Sequence, residues 1–155
     1  ITGEERIALE NLERTPDNPS TYASDLIASG LKLFLDTGVR VVVFEPVPEM
    51  PRDIGHLARN HFAFDPNYQN ISFSTQLEKY LDRAGPALNV LRKRQEPNLA
   101  VVPTSQILCD DDKKLCFGME AGVALYTDDN HLSVFGVNKL MAKIDATVLP
   151  RSKKH

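Results

Sequence analysis

TYASDLIASGLKLFLDTGVRVVVF, residues 21–44, is the stretch that decides the fold class. Its first part places apolar residues at helical spacing, with Ser20 available as the N-cap and Gly38 as a left-handed residue after the helix. Residues 39–44 then form a β-branched run that nearly lacks polar alternation, which is typical of a strand covered on both faces. Helix, glycine stop and buried strand together predict half of a parallel βαβ unit.

The rest of the chain extends this alternation of helices and strands. Further helices are predicted at about 77–91 and 133–148, and further strands at 99–102 and 121–126. Gly85-Pro86 should kink the first of these helices or split it in two. Residues 52–73 suggest a helical excursion followed by a long loop. The order of elements predicts an α/β fold, a three-layer α/β/α sandwich with a mainly parallel sheet.

Composition bounds the classes of function. The 155 residues are 42% hydrophobic and 25% charged, with a net charge of −3, which describes one globular domain rather than a disordered or fibrous chain. The near-neutral balance argues against binding to nucleic acid, and no apolar run is long enough for a membrane span. The predicted organisation is a lead-in helix and loop (1–19), an α/β core (20–148) and a tail (149–155). The start has neither the features of a signal peptide nor an initiator Met, so we expect a piece of a longer or processed protein.

Cys109 and Cys116 flank a polar turn of three aspartates and two lysines. A turn of this length can bring two cysteines within disulfide range, and the alternative is a pair of reduced thiols. The disulfide is the favoured interpretation, and it would place the domain in an oxidising compartment such as the periplasm. No further ligands lie at zinc-site spacing, and the aspartate run lacks the glycine and distal glutamate of a calcium loop.

The segment LYTDDNHLS, residues 125–133, carries the clearest chemical signal. His131 stands in a loop just before a predicted helix N-cap, and Asp128 lies three residues earlier on the same turn. Such a carboxylate can accept a hydrogen bond from Nδ1–H of the histidine and leave Nε2 free as a base, as in a Ser-His-Asp triad. The alternative is an Asx-rich turn whose side chains only satisfy backbone donors.

Other candidate motifs are weaker. Ser29 and Lys32 match a Ser-x-x-Lys pattern, but they lie inside a regular amphipathic helix without the companion motifs. His56 and His61 are five residues apart, which is not the spacing of a helical metal pair, so they are interpreted as loop or surface residues. Glu45, at the end of the first strand, could point into an active crevice or cap a neighbouring helix.

Asp128-x-x-His131-Leu132-Ser133, followed by a glycine and a helix, resembles the last conserved block of the SGNH (GDSL-type) hydrolases. Together with VVVFEPVPE at residues 41–49 and the cysteine pair, it is similar to the periplasmic SGNH domain fused to acyltransferase-3 membrane proteins, over roughly residues 20–148. The resemblance implies an SGNH (flavodoxin-like) sandwich and a domain at the periplasmic face of the bacterial inner membrane.

The resemblance also implies an activity. Proteins of this kind O-acetylate surface polysaccharides such as lipopolysaccharide O-antigen or peptidoglycan, and His131 and Asp128 would complete a triad with a serine. No cofactor is expected to bind this chain directly, since the membrane domain would deliver acetyl groups from acetyl-CoA. A carbohydrate or lipid esterase with the same triad is the first alternative, and a non-catalytic sugar-binding or interaction domain is the second.

One part of the family pattern is missing. The Gly-Asp-Ser block with the nucleophile does not occur in the chain, nor do the family's oxyanion-hole blocks. Ser133 follows the histidine on the same turn and is better suited to be an N-cap. The chain is therefore expected to be the C-terminal part of one SGNH-like domain, inactive alone, with its nucleophile on an upstream segment.

Overall fold

The structure, a computed structural model, describes residues 19–64 and 72–144. Its helices are α1 (Pro19–Leu35), α2 (Ile54–Phe64), α3 (Leu77–Leu91), α4 (Ser105–Leu108) and α5 (Val134–Met141). Its strands are β1 (Val41–Phe44), β2 (Phe73–Gln76), β3 (Leu99–Val102), β4 (Cys109–Asp110), β5 (Leu115–Glu120) and β6 (Val123–Ala124). The predicted α/β class is confirmed. The lead-in helix before residue 19 and the tail after residue 148 lie outside the described residues.

β1 and β3 form the parallel pair that the βαβ pattern predicts. They run in register, from Val41 opposite Leu99 to Phe44 opposite Val102. The expectation that this strand is covered on both faces is not met by the described residues, since its valines are half-buried and Phe44 is exposed. Within residues 19–64 and 72–144, β3 is the strand that pairs with β1, which leaves the other edge of β1 open.

A second sheet is antiparallel and was not predicted. β5 pairs with β2, β4 and β6, and a two-residue turn at Ala121-Gly122, both with positive φ, joins β5 to β6. This geometry matches a type I′ hairpin turn, which suits the twist of antiparallel strands. β2, which was also not predicted, begins at Phe73, where the expected loop of residues 52–73 ends.

Cys109 and Cys116 stand directly opposite each other on β4 and β5, and a disulfide joins them. The sequence between them is a solvated turn, in which the Asp110 carboxylate accepts hydrogen bonds from the amides of Asp112 and Lys113. Hydrogen bonds from Lys113, first that of its side chain, lower the pKa of the Asp110 carboxyl. Cys116 is fully buried, so the disulfide forms one wall of the core.

α3 lies at the centre of the packing. It runs as one element through Gly85-Pro86, so of the two predicted outcomes, a kink or a split, the split does not occur. Its buried face continues on both sides of the proline, and this burial offsets the hydrogen bond that proline cannot donate. The main core cluster comprises Met50, Ile54, Leu77, Tyr80, Ala84, Leu88, Cys116, Met119, Leu125 and Tyr126.

Candidate active site

The segment between β6 and α5 forms a tight loop, here called the histidine loop. An isolated bridge pairs Tyr126 with Leu132, and inside it the Thr127 amide donates to the His131 carbonyl at 2.8 Å. The Thr127 hydroxyl donates to the same carbonyl at 3.2 Å. These bonds close the base of the loop and leave residues 128–130 as a short tip beside the histidine.

The Asp128 carboxylate binds three donors, one from Asn130 of the tip and two from His131. Oδ1 accepts hydrogen bonds from the amides of Asn130, at 2.9 Å, and of His131, at 2.8 Å, while Oδ2 lies 2.8 Å from Nδ1 of the His131 ring. The two backbone donors, first that of Asn130, and then the imidazole lower the pKa of the Asp128 carboxyl to about 2. One carboxylate therefore forms the Asx turn and contacts the histidine at the same time.

The geometry fixes which ring nitrogen of His131 is free. An ionised carboxylate accepts hydrogen bonds and donates none, so Nδ1 carries a proton, and in the neutral imidazole Nε2 keeps its lone pair. The His131 side chain is 76% exposed, and among the residues that the structure describes Asp128 is the hydrogen-bond partner of its ring. This arrangement can accept a proton at Nε2 while the carboxylate stabilises the imidazolium that forms.

The loop before α2 holds the tip of the histidine loop from one side. The Met50 amide donates to the Asp129 carbonyl at 2.7 Å, and the Ile54 amide donates to the Asp128 carbonyl at 3.0 Å. Met50 and Ile54 are themselves buried in the core. The core thus positions the backbone of the tip, and through it the Asp128 carboxylate.

Two glycines let neighbouring backbone approach the histidine loop closely. A Cβ atom on Gly55 would lie 2.1 Å from the Thr127 carbonyl oxygen, and one on Gly136 would lie 2.1 Å from the Leu125 carbonyl oxygen. Both contacts are with backbone, which cannot swing aside as a side chain can. A side chain at either position would therefore displace the loop that carries the histidine.

Ser133 begins α5 and is used structurally. Its hydroxyl donates to the Ala124 carbonyl at 2.7 Å and accepts from the Gly136 amide at 3.2 Å, which is the N-cap arrangement. Its amide donates to the Leu125 carbonyl at 2.9 Å. The interpretation of Ser133 as a helix cap is confirmed.

The weaker candidates lie elsewhere. Ser29 donates to the Asp25 carbonyl within α1, and Lys32 pairs with Asp36, so the Ser-x-x-Lys match has no active-site geometry. His56 lies in α2, where Nε2 is 3.0 Å from the Asn60 side-chain amide. The side chain of His61 is outside the described residues.

Glu45 is a structural residue whose partner the sequence did not reveal. It is 3% exposed, and the Arg92 guanidinium binds both of its carboxylate oxygens, at 2.6 and 3.0 Å. Ser105 contributes a further contact to each partner. The side-chain hydrogen bond that Arg92 donates to Glu45 is the main cause of the raised pKa of Arg92. The pair ties the end of β1 to the end of α3, and neither expected role of Glu45 is observed.

In residues 19–64 and 72–144, no three His, Cys, Asp or Glu side chains are grouped to hold a metal ion. Across the same residues, no helix combines the length and the apolar character that crossing a membrane requires.

An α/β domain with an exposed histidine oriented by a carboxylate is the class that fold and site define. Comparison with known families is specific: a family model described as "SGNH domain (fused to AT3 domains)" matches residues 3–146. The chain belongs to this family, as the resemblance of its histidine block predicted. No protein of curated function and no solved structure matches the chain.

Proposed function

We propose that this chain supplies the His131–Asp128 half of a Ser-His-Asp site that transfers an acyl group, specifically acetyl, to hydroxyls of a cell-surface polysaccharide. The 2.8 Å contact between Nδ1 and the Asp128 carboxylate, in a domain of a family fused to AT3 domains, carries the proposal. Lipopolysaccharide O-antigen and peptidoglycan are the acceptor classes that the family resemblance implies.

In the proposed reaction, Nε2 of His131 takes the proton of the serine hydroxyl as the serine oxygen attacks the acyl carbonyl. The tetrahedral intermediate collapses to an acyl-serine, and the imidazolium gives its proton to the departing donor oxygen or sulfur. A sugar hydroxyl then attacks the acyl-serine while Nε2 removes its proton, and that proton returns to the serine oxygen. Asp128 stays ionised throughout, in keeping with its lowered pKa.

We place the nucleophilic serine on another segment of the same SGNH domain. Several described serines donate their hydroxyls to acceptors other than the histidine ring, namely Ser24, Ser29, Ser72, Ser105 and Ser133. In the part of the chain that the structure describes, no serine is hydrogen-bonded to His131.

Exposed apolar side chains support the proposal that another segment of the domain packs against this one. Val134 and Phe135 at the start of α5 are 73% and 63% exposed, and Leu33 and Phe34 of α1 are 72% and 63% exposed. Exposed apolar surface of this kind marks a packing or interaction site. We propose that the segment with the serine packs on these helices and on the open edge of β1.

The proposed partner is a fused AT3 membrane domain, which would provide acetyl groups that originate from acetyl-CoA. The proposed location is the periplasmic face of the inner membrane. The family description supports the partner, and the disulfide supports an oxidising compartment.

The experiment is acetyl transfer by the full-length protein, measured as labelled acetate appearing on the polysaccharide. We expect His131→Ala to reduce the rate by at least ~10³-fold, as for the loss of a triad base. The matched control is His56→Ala, which removes another exposed histidine and should leave the rate unchanged. Equal rates for both variants would contradict the proposal.

The same measurement separates the alternatives. Release of free acetate that depends on His131 but not on added polysaccharide would indicate the esterase. Sugar binding without any acyl turnover in the full-length protein would indicate the non-catalytic domain.

A further inference from the structure

A cleft of about 740 Å³ opens beside the tip of the histidine loop, and we call it the Asp129 cleft. Its walls come from the loop after β1, the end of β2, parts of α1 and α3, and Asp129 itself. Small-molecule sites commonly have volumes of about 300–1,000 Å³, so the cleft is large enough for a ligand.

The lining of the cleft combines apolar surface with polar side chains. Its apolar surface includes Pro46, Val47, Met50, Pro51, Ala84 and Ala87. Its polar side chains are Glu49, Ser74, Thr75, Gln76, Lys79, Tyr80, Arg83 and Asp129. A ligand that fits must therefore present apolar faces and polar edges in the same molecule.

The charged groups of the cleft are not equally available. Arg83 pairs with Glu49, with 2.7 Å between the guanidinium nitrogen and the carboxylate oxygen. Among the described residues, no carboxylate lies within ion-pair distance of Lys79. No cationic side chain lies within that distance of Asp129. The cleft thus keeps one strong donor and one strong acceptor for a ligand.

Asp129 connects the cleft to the histidine loop. It follows Asp128 directly, and its carbonyl is held by the Met50 amide at 2.7 Å. Because Met50 also lines the cleft, one short segment fixes both the cleft and the tip that orients His131. A ligand in the cleft would contact Asp129, which is two residues from His131.

We propose that the Asp129 cleft binds a sugar unit of the acceptor, with Lys79 and Asp129 as specificity-determining residues that bond to its hydroxyl groups. Sugar rings have apolar C–H faces and edges of hydroxyls that both donate and accept, which matches this lining. A plain acyl chain would use neither charged group, whereas the hydroxyl groups of a sugar can form hydrogen bonds to both. This inference rests on the proposed acyl transfer to a polysaccharide.

The test measures the binding of soluble tetrasaccharides to the full-length protein by saturation-transfer difference NMR. The probes are maltotetraose, chitotetraose and tetragalacturonate, which differ in amide and acid substituents. For the probe that binds most tightly, Lys79→Ala should raise Kd about tenfold, the value of one charged hydrogen bond. Ala87→Phe, which places a ring in the cleft, should reduce binding at least as strongly.

The matched control is Lys93→Ala. Lys93 is exposed and lies just past the other end of α3, about 21 Å from Lys79 at ~1.5 Å per helical residue. It should leave Kd unchanged. Failure of all three probes to bind, or equal Kd values for the wild type, Lys79→Ala and Ala87→Phe, would overturn the inference.

His131→Ala separates this inference from the proposed reaction. The variant should bind the tetrasaccharide normally and fail to acetylate it. Normal binding together with normal acetylation would contradict the catalytic role of His131 and leave the sugar site standing.

Discussion

At the scale of single residues, Asp128 combines two roles that sequence reasoning treated as alternatives. Its Oδ1 closes an Asx turn with two backbone amides, and its Oδ2 contacts Nδ1 of His131. The turn holds the carboxylate in place without help from the imidazole. The histidine therefore meets an acceptor whose position and charge are already fixed, which is what electrostatic preorganisation requires.

The titration of Asp128 tests this arrangement. By NMR of the carboxyl carbon, we expect a pKa of about 2, compared with the ordinary value of about 3.9. Because the folded-state pKa is lowered, Asp128 stabilises the fold above about pH 4, and this contribution is lost as pH falls towards 2.

The His131→Ala variant separates the causes of that pKa. The backbone bonds are the largest cause and remain in the variant, so the pKa of Asp128 should rise only partly towards its ordinary value. A full return to about 3.9 would show that the imidazole, and not the turn, fixes the carboxylate.

The pair of Glu45 and Arg92 supports a second prediction. Arg92→Ala would leave a buried carboxylate without its partner and should lower the free energy of unfolding by about 2 kcal/mol. This is less than the 3–5 kcal/mol typical of fully buried pairs, because the Arg92 side chain is 46% exposed. Urea denaturation measures the change, and the neighbouring Lys93→Ala should be neutral. Equal stabilities of the two variants would contradict a structural role for the pair.

At the scale of elements, the histidine loop is held between the start of α2 and the start of α5. Amides of Met50 and Ile54 bind its tip, and the Ser133 cap fixes its exit into α5. Gly55 and Gly136 allow both elements to approach the loop backbone closely. The site is therefore positioned by packed elements although the histidine itself is exposed.

Gly55→Ala tests the contact with α2. The added Cβ would meet the Thr127 carbonyl at 2.1 Å, so we expect a loss of about 1–3 kcal/mol in stability, as in other overpacked sites, and a lower acyl-transfer rate. Gly30→Ala in α1 is the control, because a Cβ there meets nothing within 4 Å. It should stabilise the protein by about 0.5–1 kcal/mol, the usual gain of alanine over glycine in a helix. A neutral Gly55→Ala would show that this contact does not position the loop.

Sequence patterns predicted the elements whose residues lie close together in the chain. The α1–β1 segment follows from periodicity and Gly38, and the contact of Asp128 with His131 follows from three-residue spacing on a turn. β5 was not found, because no strand was assigned between the cysteine turn and residue 121. The apolar residues at alternate positions Leu115, Phe117 and Met119 were the available signal.

Long-range contacts account for the rest of what the sequence did not predict. Glu45 and Arg92 are 47 residues apart, and the Met50 amide binds a carbonyl nearly 80 residues further along the chain. Local periodicity carries no information about such pairs. The support of the histidine loop could therefore be described only from the structure.

At the scale of the whole molecule, two features relate the domain to its surroundings. The disulfide links β4 to β5 within the core, and exposed apolar residues on α1 and α5 mark surfaces suited to packing. The disulfide is consistent with an oxidising compartment. The exposed apolar residues are consistent with packing against another segment of the domain.

Reduction of the disulfide should destabilise the fold. The two cysteines are seven residues apart, and closing a loop of this size contributes about 2.5 kcal/mol in the chain-entropy model. Urea denaturation of the full chain with and without dithiothreitol measures the difference. Identical midpoints, with the thiols shown to be reduced, would mean that the cross-link contributes nothing to stability.

The central claim is that His131 activates a serine on another segment of the domain. A fluorophosphonate probe tests it most directly, since such probes label a serine that an adjacent base activates. In the full-length protein we predict one labelled serine outside residues 19–64 and 72–144, with labelling abolished by His131→Ala and unchanged by His56→Ala. No labelling of the wild type, or labelling that persists in His131→Ala, would contradict the claim.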